Sequence, residues 1–143
     1  MLIGGQGMKI VVASGYFDPL HVGHIEYLEM ARKLGDKLIV IVNNDKQTHL
    51  KKGLEFMPFE ERIKIVNALE MVDEVFASID DDASVCKSLK EIKPDIFAKG
   101  GDRNTGNIPE LDICKECCIE IIDGLGDKIQ SSSELIKKSG DKK

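Results

Sequence analysis

Apolar positions along the chain switch repeatedly between two spacings. Lys9-Ile10-Val11-Val12-Ala13 is a continuous β-branched run, the pattern of a strand buried on both faces. The period then changes: Ile25, Leu28, Ala31 and Leu34 recur at helical spacing, which predicts a helix opening near Val22. The alternation continues to the end. Residues 37–42 read as a second strand, 58–69 as a long helix, 74–77 as a short strand and 83–91 as a helix. Residues 95–99 follow as a strand, then a glycine loop, a helix over 108–117, a strand over 119–122 and a last helix from Ser132. Strands and helices alternating at these lengths predict right-handed βαβ units, an α/β fold with a parallel sheet of about five strands and helices on both faces. Ligands of such sheets lie beyond the carboxyl ends of the strands, at the point where the strand order reverses.

The junction from Ser14 to His24 carries the strongest chemical signal. Gly15 interrupts the apolar run, and the helix that follows directs its N-terminus at the loop. A first helical turn offers unpaired N–H groups and a partial positive charge, an anion site for which phosphate is the natural guest. His21 and His24, three residues apart, project from one face of that turn, and Gly23 between them lets a nucleotide approach the backbone. The pair can donate hydrogen bonds to phosphate oxygens as charge builds on an α-phosphorus during in-line displacement. Two ordinary helix-start histidines are the bland alternative. The intervening glycine and the upstream Gly15-Tyr16-Phe17-Asp18 weigh against it.

Other candidates fall at the same predicted edge. The second strand ends in Asn43-Asn44-Asp45, and residues 46–53 read as a lysine-bearing loop where a cation can neutralise triphosphate charge and close over substrate. His49 within it is assigned to the surface. Lys99-Gly100-Gly101-Asp102-Arg103 follows the fourth strand; its glycines allow close backbone approach, and Asp102 can accept from a ribose or base, although such residues also form ordinary turns. Ser131, Ser132 and Ser133 open the last helix, where hydroxyls and free amides suit phosphate, with Lys128 just upstream as a cation. One serine would suffice as an N-cap.

Composition narrows the classes. The 143 residues suit a single domain, expected over 8–138, with 1–7 and 139–143 as flexible termini. Twenty Lys and Arg against twenty-five Asp and Glu give a net charge of −5, which argues against a nucleic-acid partner. No apolar run approaches the roughly twenty residues that cross a bilayer, and no signal-peptide pattern is present. A cytoplasmic protein with no membrane partner is expected. Cys114, Cys117 and Cys118 sit at helical spacing with Leu111, so they read as core thiols, and no metal site is assigned.

At Gly15-Tyr16-Phe17-Asp18 and His21-Val22-Gly23-His24 the chain resembles the small HxGH nucleotidyltransferases of the cytidylyltransferase family, over about residues 9–138. The resemblance implies a Rossmann-like sheet, catalytic roles for His21, His24 and Lys51, and nucleotide or phosphate contacts from Gly15, Tyr16, Phe17, Asp18, Gly23, Lys52, Gly100, Asp102, Lys128, Ser131, Ser132 and Ser133. Arg62 matches a helix-start arginine near the substrate phosphate and the subunit contact. Lys99-Gly100-Gly101-Asp102 looks closer to the heptose-phosphate adenylyltransferases, and Glu70 stands where the glycerol-3-phosphate cytidylyltransferases carry arginine, which tilts the nucleotide toward ATP over CTP. Lys128 and Ile129 stand where members often carry an arginine-threonine pair. The implied reaction moves AMP or CMP from ATP or CTP, with Mg²⁺, to a small phosphorylated acceptor in a homodimer. A glycerol-3-phosphate-type cytidylyltransferase and a non-catalytic nucleotide sensor are the alternatives. A dinucleotide redox domain is disfavoured, because Gly-x-Gly-x-x-Gly does not follow the first strand.

Overall fold

The computed structural model describes residues 8–100 and 109–125. The elements are β1 (Ile10–Gly15), α1 (Val22–Arg32), β2 (Lys37–Val42), α2 (Asp45–Lys52), α3 (Phe59–Asn67), β3 (Glu74–Ala77), α4 (Cys86–Ile92), β4 (Ile96–Gly100), α5 (Leu111–Glu116) and β5 (Glu120–Leu125). The predicted last helix lies outside the described residues.

All five strands are parallel, in the order β3-β2-β1-β4-β5. The chain winds outward from β1 to β3, crosses back, and adds β4 and β5 on the other side. The order therefore reverses between β1 and β4, directly above which the β1–α1 loop emerges. β1 and β2 stay in register from Ile10 opposite Lys37 to Gly15 opposite Val42. Gly15 thus completes the strand that it was expected to break.

Side-chain alternation along the strands builds two cores. Val11 and Ala13 of β1 pack with Leu38, Val40 and Val42 under Tyr27, Leu28 and Ala31 of α1 and Val66 of α3. Val12, Ile39, Ile41 and Phe97 face the opposite way and pack with Val85, Leu89 of α4 and Cys114 of α5. Near-continuous apolar strands are what a sheet covered on both faces requires. Cys114 is a core thiol, pushed up to about 12 by burial. Cys118 is exposed, so the predicted thiol cluster is core only in part.

The expected lysine loop is a helix. Asn44 caps α2 by accepting from Gln47 N at 2.9 Å while Gln47 Oε1 accepts from Asn44 N at 3.1 Å, a reciprocal box that satisfies two amides without any apolar periodicity. Gly53 ends the helix at φ +85°, its N–H donating to His49 O, a conformation that favours glycine. His49 is exposed, as expected, and pairs with Glu55 across this turn.

Tyr27 locks α1 onto the site edge of the sheet. Its hydroxyl donates to Ala98 O of β4 at 2.6 Å and accepts from Ser14 N of β1 at 3.2 Å. A Cβ on Gly100 would stand 2.9 Å from this ring, so glycine is needed there for close approach. Replacing Tyr27 by Phe leaves a buried carbonyl and an amide unpaired, and unfolding in urea is expected to show a loss of roughly 1–3 kcal/mol.

Candidate active site

The β1–α1 loop is shaped by its neighbours before it can act. Phe17 is buried at φ +52° and folds back over Gly15, where a Cβ would meet its ring at 2.9 Å. A non-glycine residue held in the left-handed region marks a loop over-determined by its surroundings. Asp18, the next residue, is buried, and its carboxylate accepts from Phe56 N and Met57 N, each at 2.6 Å. The loop is thereby tied to the segment between α2 and α3.

His21 is the N-cap of α1 and accepts from Gly23 N through Nδ1 at 3.1 Å. His24, one turn into the helix, accepts from His21 N through its own Nδ1 at 3.2 Å. The two rings stack with centroids 4.0 Å apart at 25°, and Phe17 meets His24 edge-on at 5.0 Å. This is a capping box built from histidines instead of the usual Ser and Glu. Because each Nδ1 lone pair is already accepting, each neutral ring carries its proton on Nε2. Burial lowers the pKa of both, and the neighbouring His21 helps bring His24 to about 3. The pair is thus two neutral N–H donors and not two cations. His21 Nε2 is buried without a hydrogen-bond partner.

Arg62, expected at the substrate phosphate, is instead an internal staple. Its side chain is wholly buried, with Nε donating to Met57 O at 3.0 Å, one terminal nitrogen to Tyr16 O and Asn43 O at 2.8 Å each, and the other to Asp45 at 2.6 Å. Its donors are spent on three loops of the site edge. Asp18 in turn accepts from the backbone amides of residues 56 and 57.

The structure gathers Gly15, Tyr16, Phe17, Asp18, His21, Gly23 and His24 on one loop and helix start, with Gly100 at the end of neighbouring β4. Gly23 contributes its amide to the His21 cap. Lys51 and Lys52 form the last turn of α2, and their side chains lie outside the described residues, as do Asp102, Lys128, Ser131, Ser132 and Ser133. Tyr16 is half-buried, and its phenol is raised by burial and then by Glu110.

Sequence reasoning missed a polar clamp beside this site. Asn44 Nδ2 donates to Ser78 O and Asp80 O, and Gln47 Nε2 to Asp82 O and Ser84 O, fastening α2 to the β3–α4 loop. The Asn-x-x-Gln spacing was its available signal. Glu110 was also missed, one glutamate among many with no motif around it.

Among the described residues, no group of three or more His, Cys, Asp or Glu side chains could hold a metal ion.

A reversing parallel sheet with a stacked histidine pair at its first strand–helix junction is a Rossmann-like arrangement. The cytidylyltransferase-like family model matches residues 12–118, and the chain belongs to that family. Bifunctional protein HldE of Blochmanniella floridana is 47% identical over 109 residues, covering 75% of this chain and 22% of that protein. HldE of Yersinia pestis strain Pestoides F is 44% identical over 99 residues, covering 68% and 20%. The chain thus spans about a fifth of the length of these relatives. Among solved structures, a lipopolysaccharide core biosynthesis protein from Thermoplasma volcanium matches with TM-score 0.72 at 29% identity, covering 84% of this chain and 98% of that one. Pantoate-beta-alanine ligase from Francisella tularensis, at TM-score 0.57 and 17% identity over 88% and 61%, shares the fold.

The lowered pKa of His24 has a signed consequence for stability. Below pH 6.5 the unfolded chain binds a proton at this position that the folded chain refuses until about pH 3, so stability is full above 6.5 and falls through that window. Replacing His24 by Asn keeps a cap acceptor and removes the titration. Urea midpoints measured from pH 7 to 4 are expected to fall less steeply in the variant than in the parent.

Proposed function

We propose that the chain, as one domain over residues 8–138, transfers AMP or CMP from ATP or CTP to a small phosphorylated acceptor, a sugar, polyol or amino-alcohol phosphate, and releases pyrophosphate. The observation that carries this reading is the buried, unpartnered Nε2–H of His21, stacked on His24 at the start of α1 beside the β1–β4 reversal. A donor held in place without an acceptor is what a developing phosphate charge requires. The Lys99-Gly100-Gly101-Asp102 string favours ATP. The Thermoplasma volcanium protein is named for lipopolysaccharide core biosynthesis, which favours a sugar phosphate as acceptor.

In this mechanism an acceptor phosphate oxygen forms the new bond to the α-phosphorus while the bond to the bridging oxygen breaks. The electron pair leaves on pyrophosphate. No base is needed, because the attacking group is already an anion, and catalysis consists of alignment and charge stabilisation. His21 and His24 donate Nε2–H to phosphate oxygens without adding net charge. Gly15, Tyr16, Phe17, Asp18 and Gly23 shape the cradle, with Arg62 holding it from behind. Lys51 supplies the cation, helped by Lys52, and Lys128 with the serines at 131–133 takes the outer phosphates. Mg²⁺ accompanying the nucleotide would supply neutralisation of phosphate charge, and no protein ligand is assigned to it. We also read the protein as a cytoplasmic homodimer acting on small molecules. No helix among the described residues is long and apolar enough to cross a membrane.

The test is pyrophosphate release with ATP and CTP, each against sugar-1-phosphates, glycerol-3-phosphate, phosphoethanolamine and phosphonates. Acceptor-dependent release with one nucleotide is expected; silence across the panel with intact nucleotide binding would replace transfer by sensing. His21→Asn retains a cap acceptor for Gly23 N but lacks Nε2–H. Its turnover is expected to drop roughly a hundred- to a thousand-fold with its melting temperature held.

A further inference from the structure

Glu110 lies at the carboxyl edge with half of its carboxylate unused. It occupies the N-cap position of α5 yet makes no cap bond to that helix. It reaches across to the start of α4, where Oε2 accepts from Val85 N at 2.9 Å. The residue is 3% exposed, and Oε1 is buried with no hydrogen-bond partner. An unpaired carboxylate oxygen in a native interior is uncommon enough to demand a reason. Stapling α5 to α4 needs only one oxygen.

Its surroundings point to a ligand group. Tyr16, whose phenol feels the Glu110 charge, belongs to the loop that carries the histidine pair. The Cys86 and Cys114 thiols feel it too, so the carboxylate sits where the β1–α1 loop, α4 and α5 converge. The histidines stand at the start of α1, a helix of the opposite face of the sheet. A nucleotide held at α1 leaves the α4/α5 side of the reversal for the second substrate.

We propose that Glu110 is a specificity residue of the acceptor site, its Oε1 accepting a hydrogen bond from a hydroxyl of the phosphorylated acceptor. This rests on the transfer reaction proposed above. One remaining oxygen matches a hydroxyl, which brings one donor, better than an ammonium, which brings three. Two other carboxylates felt by Cys86 are engaged: Asp80 accepts from Ser88 and the amides of Lys87 and Ser88, and Asp82 accepts from Ser84.

Glu110→Gln separates this role from the staple. The amide oxygen can still accept from Val85 N, while the amide NH₂ replaces the charged acceptor, so a hydroxyl can meet it only by accepting and the charge-assisted bond is lost. Parent and variant are compared by pyrophosphate release with glycerol-3-phosphate, sugar-1-phosphates, phosphoethanolamine and mono-deoxy counterparts of each active acceptor, alongside thermal melting. The variant is expected to show a KM for the hydroxylated acceptor raised roughly 10- to 100-fold, with kcat, nucleotide KM and melting temperature held. One deoxy counterpart should be a poor substrate for the parent and indifferent to the substitution. Unchanged acceptor KM in an active variant overturns the assignment, as does a change confined to nucleotide KM or to melting, or phosphoethanolamine as the sole substrate. A parent silent with every acceptor removes the transfer reaction itself, a result distinct from an active parent with an indifferent variant.

Discussion

The buried guanidinium of Arg62 is the interaction on which the site edge depends. A charge taken out of water is tolerated only when its donors are met and its charge is balanced. Here three carbonyls, from Tyr16, Asn43 and Met57, and the Asp45 carboxylate do both. Those partners belong to the β1–α1 loop, the β2–α2 junction and the α2–α3 segment. Asp18 reinforces the same join with opposite sign, holding the amides of Phe56 and Met57 while Arg62 holds the Met57 carbonyl. Connections that are separate along the chain are joined into one rim.

Rigidity there matters to the proposed transfer because the histidine pair would work through its tautomer. A reciprocal cap spends each Nδ1 on a backbone amide and so commits each Nε2 to donation. The first turn of α1 gives up amides that a phosphate could have used and presents imidazole donors further out in their place. Neutral donors in a dry, pre-arranged position cost little reorganisation when charge develops. They also spare the rim two buried positive charges beside Arg62. In the proposed reaction, donor geometry and helix initiation rest on the same set of hydrogen bonds.

The sheet and its order of elements were legible because buried parallel strands leave continuous apolar runs, as in Leu38-Ile39-Val40-Ile41-Val42. The histidine turn was legible as a motif, while its neutral, Nε2-protonated state was not, since that follows from which atoms the amides choose. α2 escaped because periodicity senses apolar faces, and this helix has none over Asp45–Lys52; its evidence was a pair of capping side chains. Arg62 and Asp18 were legible as important and not as internal. A charged side chain reads as a surface group until the partners that bury it, here up to 46 residues away, are brought together by the fold.

Polar burial is concentrated at this rim: Asp18, Asn43, Gln47, Arg62, Asp80 and Glu110 are all nearly inaccessible. Almost every one of their polar atoms is matched, as a low-dielectric interior demands. Among the described residues, the buried side-chain atoms left without a partner are His21 Nε2 and Glu110 Oε1. One is a donor and the other an acceptor. The donor stands at the start of α1 and the acceptor where α4 and α5 begin, on the other face of the sheet. Two complementary atoms unmatched in a rim that satisfies everything else are what the proposed transfer calls for, since its substrates would bring an acceptor to one and a donor to the other: a phosphate and a hydroxyl.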